Sequence, residues 1–322
     1  MGDANEATES SQRTWSISAW CVAAAFGAYF CMYAFRKPFT AAEFADVTAW
    51  GLAYKPLLVI AQVLGYTLSK FVGIKVVSET PPHRRAVFLL GLIGCAQVAL
   101  VLFALTPAPW NMLWLFLNGL PLGMVFGLVI GFLEGRRQTE ALTAGLCTSF
   151  IVADGATKSV GAWLLTVGIS EFWMPATTGL LFAAPLLLFT WMLSRIPQPS
   201  AQDVAARSER GPMDRADRRA FFWRYATGLT LLVLVYLLVT ILRSVRADFA
   251  PEIWRGLLST SAAPEVFALS ETVVALGVLL LTGSMVLIQD NRRAFFTGLG
   301  LAAGGIALVL LSLAGLEAGA FS

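Results

Sequence analysis

Charged side chains interrupt the apolar stretches of this chain at a few places: Arg36 and Lys37, Lys55, Asp154 and Lys158, Arg243 and Arg246, and Glu271. An ionisable group at the centre of a membrane helix costs around 2.5–3.5 kcal/mol on insertion scales, so each of these needs a partner or a task. Cations dominate the set. An anionic solute would supply the missing negative charge, and the planar guanidinium fork suits phosphate or carboxylate because it donates two hydrogen bonds at once. Position alone leaves the alternatives open. Arg36 and Lys37 follow a long apolar run and read equally well as anchors snorkelling to the outer interface. Asp154 and Lys158 are four apart on one helix face, where they neutralise one another. Lys55, beside Pro56, and Glu271 stand close enough to the outer surface to be wetted.

Other chemistry finds less support. No nucleophile and base pair, metal cluster or phosphate-cradling loop accompanies these residues, so an enzyme is not expected, and neither is a cofactor. Cys21, Cys31, Cys95 and Cys147 lie in apolar runs without metal-ligand spacing, and His83 is the sole histidine. A disulfide scaffold and a metal site are therefore not expected. The net charge of +3 does not mark a nucleic-acid binder, because the basic residues occur where membrane topology puts them.

The elements that must carry these charges are membrane helices. A chain of 322 residues with 57% hydrophobic and 13% charged residues and a mean hydropathy of +0.71 needs lipid as part of its solvent. With about 20 apolar residues per crossing, nine spans are predicted, near 15–36, 51–71, 86–106, 110–133, 141–169, 172–194, 224–243, 266–289 and 294–316. Backbone groups in lipid must bond internally, so the expected class is an all-α polytopic membrane helix bundle. The first apolar run is too long for a cleaved signal and is expected to stay. Lys70, Lys75, Arg84 and Arg85 follow span two, Arg136 and Arg137 follow span four, and Arg292 and Arg293 follow span eight. Positive loops on one side place the N-terminus in the cytoplasm.

The stretch 196–221 is long, polar and rich in arginine, with Pro197, Pro199, Gly211 and Pro212. It divides a six-span bundle at 1–195 from a three-span bundle at 222–322 and reads as a cytoplasmic linker. Residues 214–224 mix charges with Phe221, Phe222 and Trp223 like an interfacial helix entering span seven. Six spans, a basic linker and further spans is the layout of transporters with a solute site between two six-helix halves. The second half is three helices short of that pattern, and a fragment or shortened gene product is expected.

Three segments carry a family resemblance. Tyr33-Ala34-Phe35-Arg36-Lys37-Pro38-Phe39, Gly65-Tyr66-Thr67-Leu68-Ser69-Lys70-Phe71 and Leu242-Arg243-Ser244-Val245-Arg246-Ala247-Asp248-Phe249-Ala250-Pro251 are similar to motifs of helices one, two and seven of the organophosphate:phosphate antiporters, a branch of the major facilitator superfamily. Weaker echoes are Glu134–Glu140 after span four and Trp173-Met174-Pro175-Ala176 at span six. The resemblance implies that Arg36 and Arg243 are the two phosphate ligands, with Lys70 at the site or its cytoplasmic approach and Lys37 and Arg246 beside them. Lys55, Asp154, Lys158 and Glu271 are secondary intramembrane candidates. The Arg36-Lys37-Pro38-Phe39 opening also resembles an uncharacterised bacterial membrane family.

The chain departs from the superfamily pattern after Lys70, where Gly73-Ile74-Lys75-Val76-Val77-Ser78-Glu79 lacks the usual arginine of the gating loop. Asp154 falls near the position of a family histidine and opposes an anion unless Lys158 neutralises it. The resemblance implies alternating access in a monomeric protein of the bacterial inner membrane, with two buried arginines clamping a small anionic solute while the bundles rock about it. The alternative is a transporter-like sensor that binds an anion and signals through 196–221 without moving it.

Overall fold

The computed structural model describes residues 2–134, 139–197, 215–258, 263–285, 288 and 290–319. Among these, ten α-helices account for nearly all the regular structure. They are α1 (Gly2–Tyr33), α2 (Tyr54–Glu79), α3 (Arg85–Leu105), α4 (Met112–Leu133), α5 (Thr139–Thr166), α6 (Met174–Ser194), α7 (Arg215–Asp248), α8 (Ala250–Leu258), α9 (Glu265–Met285) and α10 (Asn291–Glu317). A 3₁₀ turn (Pro38–Ala41) and a two-strand antiparallel hairpin pairing Thr48 with Ala53 fill the connection between α1 and α2.

Large aliphatic side chains such as Leu64, Ile74, Leu187, Val233 and Leu308 are exposed along these helices. Such a surface is sustained with hydrocarbon as solvent, and helices suit that solvent because they bond most of their backbone groups internally. Seven of the helices are long and apolar enough to cross a bilayer, by length and composition: those of α1, α2, α3, α4, α6, α7 and α10. The protein is an integral membrane protein with an all-α, polytopic bundle. The two predicted spans outside this set are α5, which carries the buried Asp154 and Lys158, and α9, which carries Glu271.

Residues 1–272 form one compact unit and 273–322 another. In the first, α1 packs against α5 and α6, α3 against α4 and α6, and α2 against α4. The last pairing has a simple cause in sequence. Gly119, Gly123, Gly127 and Gly131 recur every fourth residue and line one face of α4, and Gly65 and Gly73 answer them on α2. A methyl added at Gly65 would run into the Phe116 carbonyl, and one at Gly119 into the carbonyl of Gln62. Small residues at this spacing let two membrane helices approach to backbone contact. Near the α1–α2 connection, Phe44 packs its ring 5.4 Å from Phe172 and 6.4 Å from Phe103 between centroids. That packing holds Phe44 at a φ of +51°, a region a bulky residue seldom occupies.

Two elements differ from the sequence reading. α7 is one continuous 34-residue helix from Arg215, so the interfacial segment and span seven are a single rod. The short helix α8 follows it directly. Of the proposed linker, residues 198–214 lie outside the described residues. In the second unit, Asp290 caps α10 by accepting from the backbone amides of Arg292 and Arg293 at 2.7 and 3.0 Å.

Candidate functional site

The chemistry begins where α1 stops. α1 ends at Tyr33, the next amides tighten into i→i−3 bonds from Phe35 to Met32 and from Arg36 to Tyr33, and Pro38, which lacks an amide proton, opens the turn Pro38–Ala41. The carbonyls freed by this ending need donors, and in lipid no water supplies them. Gln62 Nε2 donates to the Arg36 carbonyl at 2.9 Å, and Asn118 Nδ2 donates to the Phe35 carbonyl at 3.0 Å. The two amides also bond each other, Gln62 Nε2 to Asn118 Oδ1 at 2.9 Å. Gln62 is eight residues into α2, roughly 12 Å from its first residue at 1.5 Å per residue. The break therefore lies within the depth of a span, and the irregular segment is tolerated there because it is buried in protein.

The structure sorts the candidate cations into two groups. Lys37, Lys55, Lys158 and Arg246 have carboxylate partners. Lys37 pairs with Asp248 and lies 4.0 Å from Asp154. Lys158 bonds Asp154 at 2.6 Å and the carbonyl of Ala247. Lys55, only 2% exposed, bonds Glu252 at 2.7 Å and the Thr40 carbonyl at 2.8 Å. Arg246 meets Glu271 at 2.9 Å. The neutralisation of Asp154 by Lys158 read from their spacing is thus present. Lys55 and Glu271, read as candidates for wetting, are instead buried and ion-paired, because α7 and α8 bring countercharges that the individual segments do not reveal.

Arg36, Lys70 and Arg243 form the second group: among the described residues none has a carboxylate at ion-pair distance. Aromatic rings take that place. The Arg36 guanidinium carbon is 3.9 Å from the Tyr66 centroid and 5.9 Å from that of Tyr33. Lys70 Nζ is 4.7 Å from Tyr66 and 5.7 Å from Phe126, and the Arg243 guanidinium is 5.5 Å from Phe150. Tyr29 joins these rings, with centroids 5.4 Å from Phe126, 6.3 Å from Phe150 and 5.7 Å from Tyr33. A ring face attracts a cation without consuming its charge, leaving it available to an anion. The Nε of Arg36 is buried and makes no hydrogen bond. Arg36 is half-buried and Arg243 exposed, so only the first of the expected pair is withdrawn from the surface.

Asp248, Glu252, Glu43 and Arg255 were absent from the sequence-derived site. Arg255 Nη1 meets Glu43 Oε2 at 2.5 Å. With Lys37–Asp248 and Lys55–Glu252, this makes three ion pairs between the 37–55 region and the segment 248–255. Asp248 stands within the quoted helix-seven motif, and Glu252 lies one helical turn beyond it. An excess of intramembrane lysine was the signal that such acids were needed. Among the described residues, no group of His, Cys, Asp and Glu is arranged to hold a metal.

A family model matches residues 38–322, from the proline that ends the break through the last residue. The chain belongs to DUF5690, a family of unknown function. No curated protein and no solved structure gives a significant match. In this DUF5690 member, Arg36 and Lys37 lie just ahead of the matched residues, while Lys70, Arg243 and all the paired acids lie within them.

Proposed function

We propose that this protein is a secondary-active transporter of the major facilitator type that exchanges an organophosphate or a similar small organic anion by alternating access. The observation that carries the reading is the Arg36 guanidinium, seated in a break of its helix with a buried, unbonded Nε, while Lys37 next to it is paired. Lys37 and Lys158 offset Asp154 and Asp248, leaving the charges of Arg36 and Arg243 uncompensated within this group. Those two positive charges match a phosphate monoester, which carries roughly −1.5 to −2 at pH 7. One run of rings, Tyr33, Tyr29 and Phe150, joins the two arginines, which supports their acting on one ligand.

In this reading the N-terminus is cytoplasmic, and α1 to α6 form one half, with α7 and α8 supplying the countercharges and Arg243. Bound anion draws Arg36 and Arg243 together and favours the occluded form by differential contact. The ion pairs Lys37–Asp248, Lys55–Glu252 and Glu43–Arg255 hold the outer side shut and part when it opens. The test is counterflow in proteoliposomes loaded with glycerol phosphate or phosphate. Uptake of labelled organophosphate by the full chain, abolished in Arg36→Ala, is expected. Binding without any exchange would contradict transport and favour the sensor.

A further inference from the structure

We infer that the cleft between α2 and α4, at the ends nearer Glu79 and Leu133, is a second anion site that holds a phosphate group. A cavity of about 480 Å³ opens there, lined by Ser69, Lys70, Arg85, Gly123 and Glu134 among others. Its volume falls within the range of small-ligand pockets, about 300–1,000 Å³. Two buried polar atoms in this cleft have no hydrogen-bond partner: the hydroxyl oxygen of Ser69, a residue 1% exposed, and Nε of Arg85. Buried polar groups are nearly always satisfied, so the unmet hydroxyl and Nε are two groups with which a ligand could bond.

Arg85 is held in place from one side. Its Nη1 donates to the carbonyl of Gly131, where the absent side chain leaves room for the guanidinium. Nε is left over as a donor. Ser69 stands against Gly123, the next small residue but one along the same stripe. The ammonium of Lys70 and the hydroxyl of Ser78 add further polar groups, and Glu134 at the rim offsets one of the two cations. The balance of one positive charge, with a guanidinium, an ammonium and a hydroxyl as donors, suits a phosphate oxygen shell. A phosphodiester of an anionic lipid and a free phosphate present the same chemistry, and at a basic cleft between membrane helices both have access.

This site is independent of the Arg36 reading except for Lys70, so the test leaves Lys70 intact. Native mass spectrometry of the full chain would measure retention of phosphatidylglycerol against phosphatidylcholine, and calorimetry in detergent would measure binding of inorganic phosphate. Arg85→Gln and Ser69→Ala are each expected to weaken binding about tenfold, the value of a hydrogen bond to a charged group. Both measurements are made in the Arg36→Ala background, so that phosphate held at the proposed transport site does not enter the reading. Phosphatidylglycerol alone showing that pattern assigns a lipid headgroup, and inorganic phosphate showing it assigns a soluble ligand. Ser69→Ala removes only a hydroxyl and serves as the reading should Arg85→Gln not fold. Equal retention with and without Ser69→Ala in that background, or binding of neither probe without it, would overturn the site.

Discussion

The Arg36 guanidinium lies 3.9 Å from the centre of the Tyr66 ring, and its Nε is buried without a hydrogen bond. The ring stabilises the cation at a desolvated position without neutralising it. Lys37, one residue on, is tied to Asp248 and lies near Asp154. Two adjacent cations at one helix ending thus have different fates, and the difference separates a ligand-binding charge from a structural one. A favourable interaction with the carbonyl end of α1 is available to both and so does not explain the contrast.

Asp154 and Lys158 should behave as a buried pair whose separation is costly. Lys158→Ala is expected to destabilise the protein by about 3–5 kcal/mol, since it leaves a carboxylate in low dielectric with Lys37, at 4.0 Å, as the one remaining cation among the described residues at ion-pair distance. The double variant Asp154→Asn with Lys158→Met should recover most of that loss. Thermal denaturation followed by tryptophan fluorescence measures both. Additive losses in the double variant would remove the pair from the account.

Lys55 and Glu252 should tolerate exchange but not single reversal. Lys55→Glu sets two carboxylates together beside the Thr40 carbonyl and is expected to destabilise strongly. Adding Glu252→Lys restores opposite charges, with a coupling of roughly 0.5–3 kcal/mol in a double-mutant cycle. A coupling of zero would show that the ion pair does not hold α8 to the start of α2.

Gly119 should be intolerant of even one methyl. The added carbon meets the backbone of Gln62 and Tyr66, the residues that bond the Arg36 carbonyl and carry its guanidinium. Gly119→Ala is expected to cost roughly 1–3 kcal/mol as overpacking and to weaken anion binding with it. Gly91→Ala, where a methyl meets nothing within 4 Å, should be neutral. Equal melting temperatures for the two variants would contradict the close α2–α4 contact.

Much of this was legible in the residues, for reasons that differ between elements. The apolar runs announced the membrane helices, because hydrocarbon solvent imposes length and composition directly. The Asp154–Lys158 pair was legible because i and i+4 share a helix face. The pairing of Lys37 with Asp248 and Lys55 with Glu252 was not, since it joins positions about two hundred residues apart that only tertiary packing brings together. The same holds for α8, whose nine residues are too short to stand out beside long apolar spans. The end of α1 at Tyr33 falls three residues short of the predicted 15–36 span, and its acceptance at depth depends on Gln62 and Asn118, which no local pattern connects to it.

The most direct measurement is ligand-induced thermal stabilisation of the purified full chain in detergent. Phosphate, sugar phosphates and carboxylates would be screened against wild type, Arg36→Ala, Arg243→Ala and Lys37→Ala. Saturating ligand raises apparent stability by mass action, about 2.7 kcal/mol at a hundred times the dissociation constant. The account predicts stabilisation by an organophosphate that disappears in both arginine variants and persists, on a less stable baseline, in Lys37→Ala. No stabilisation of well-folded wild type by any of these anions, or stabilisation undiminished in Arg36→Ala, would contradict it.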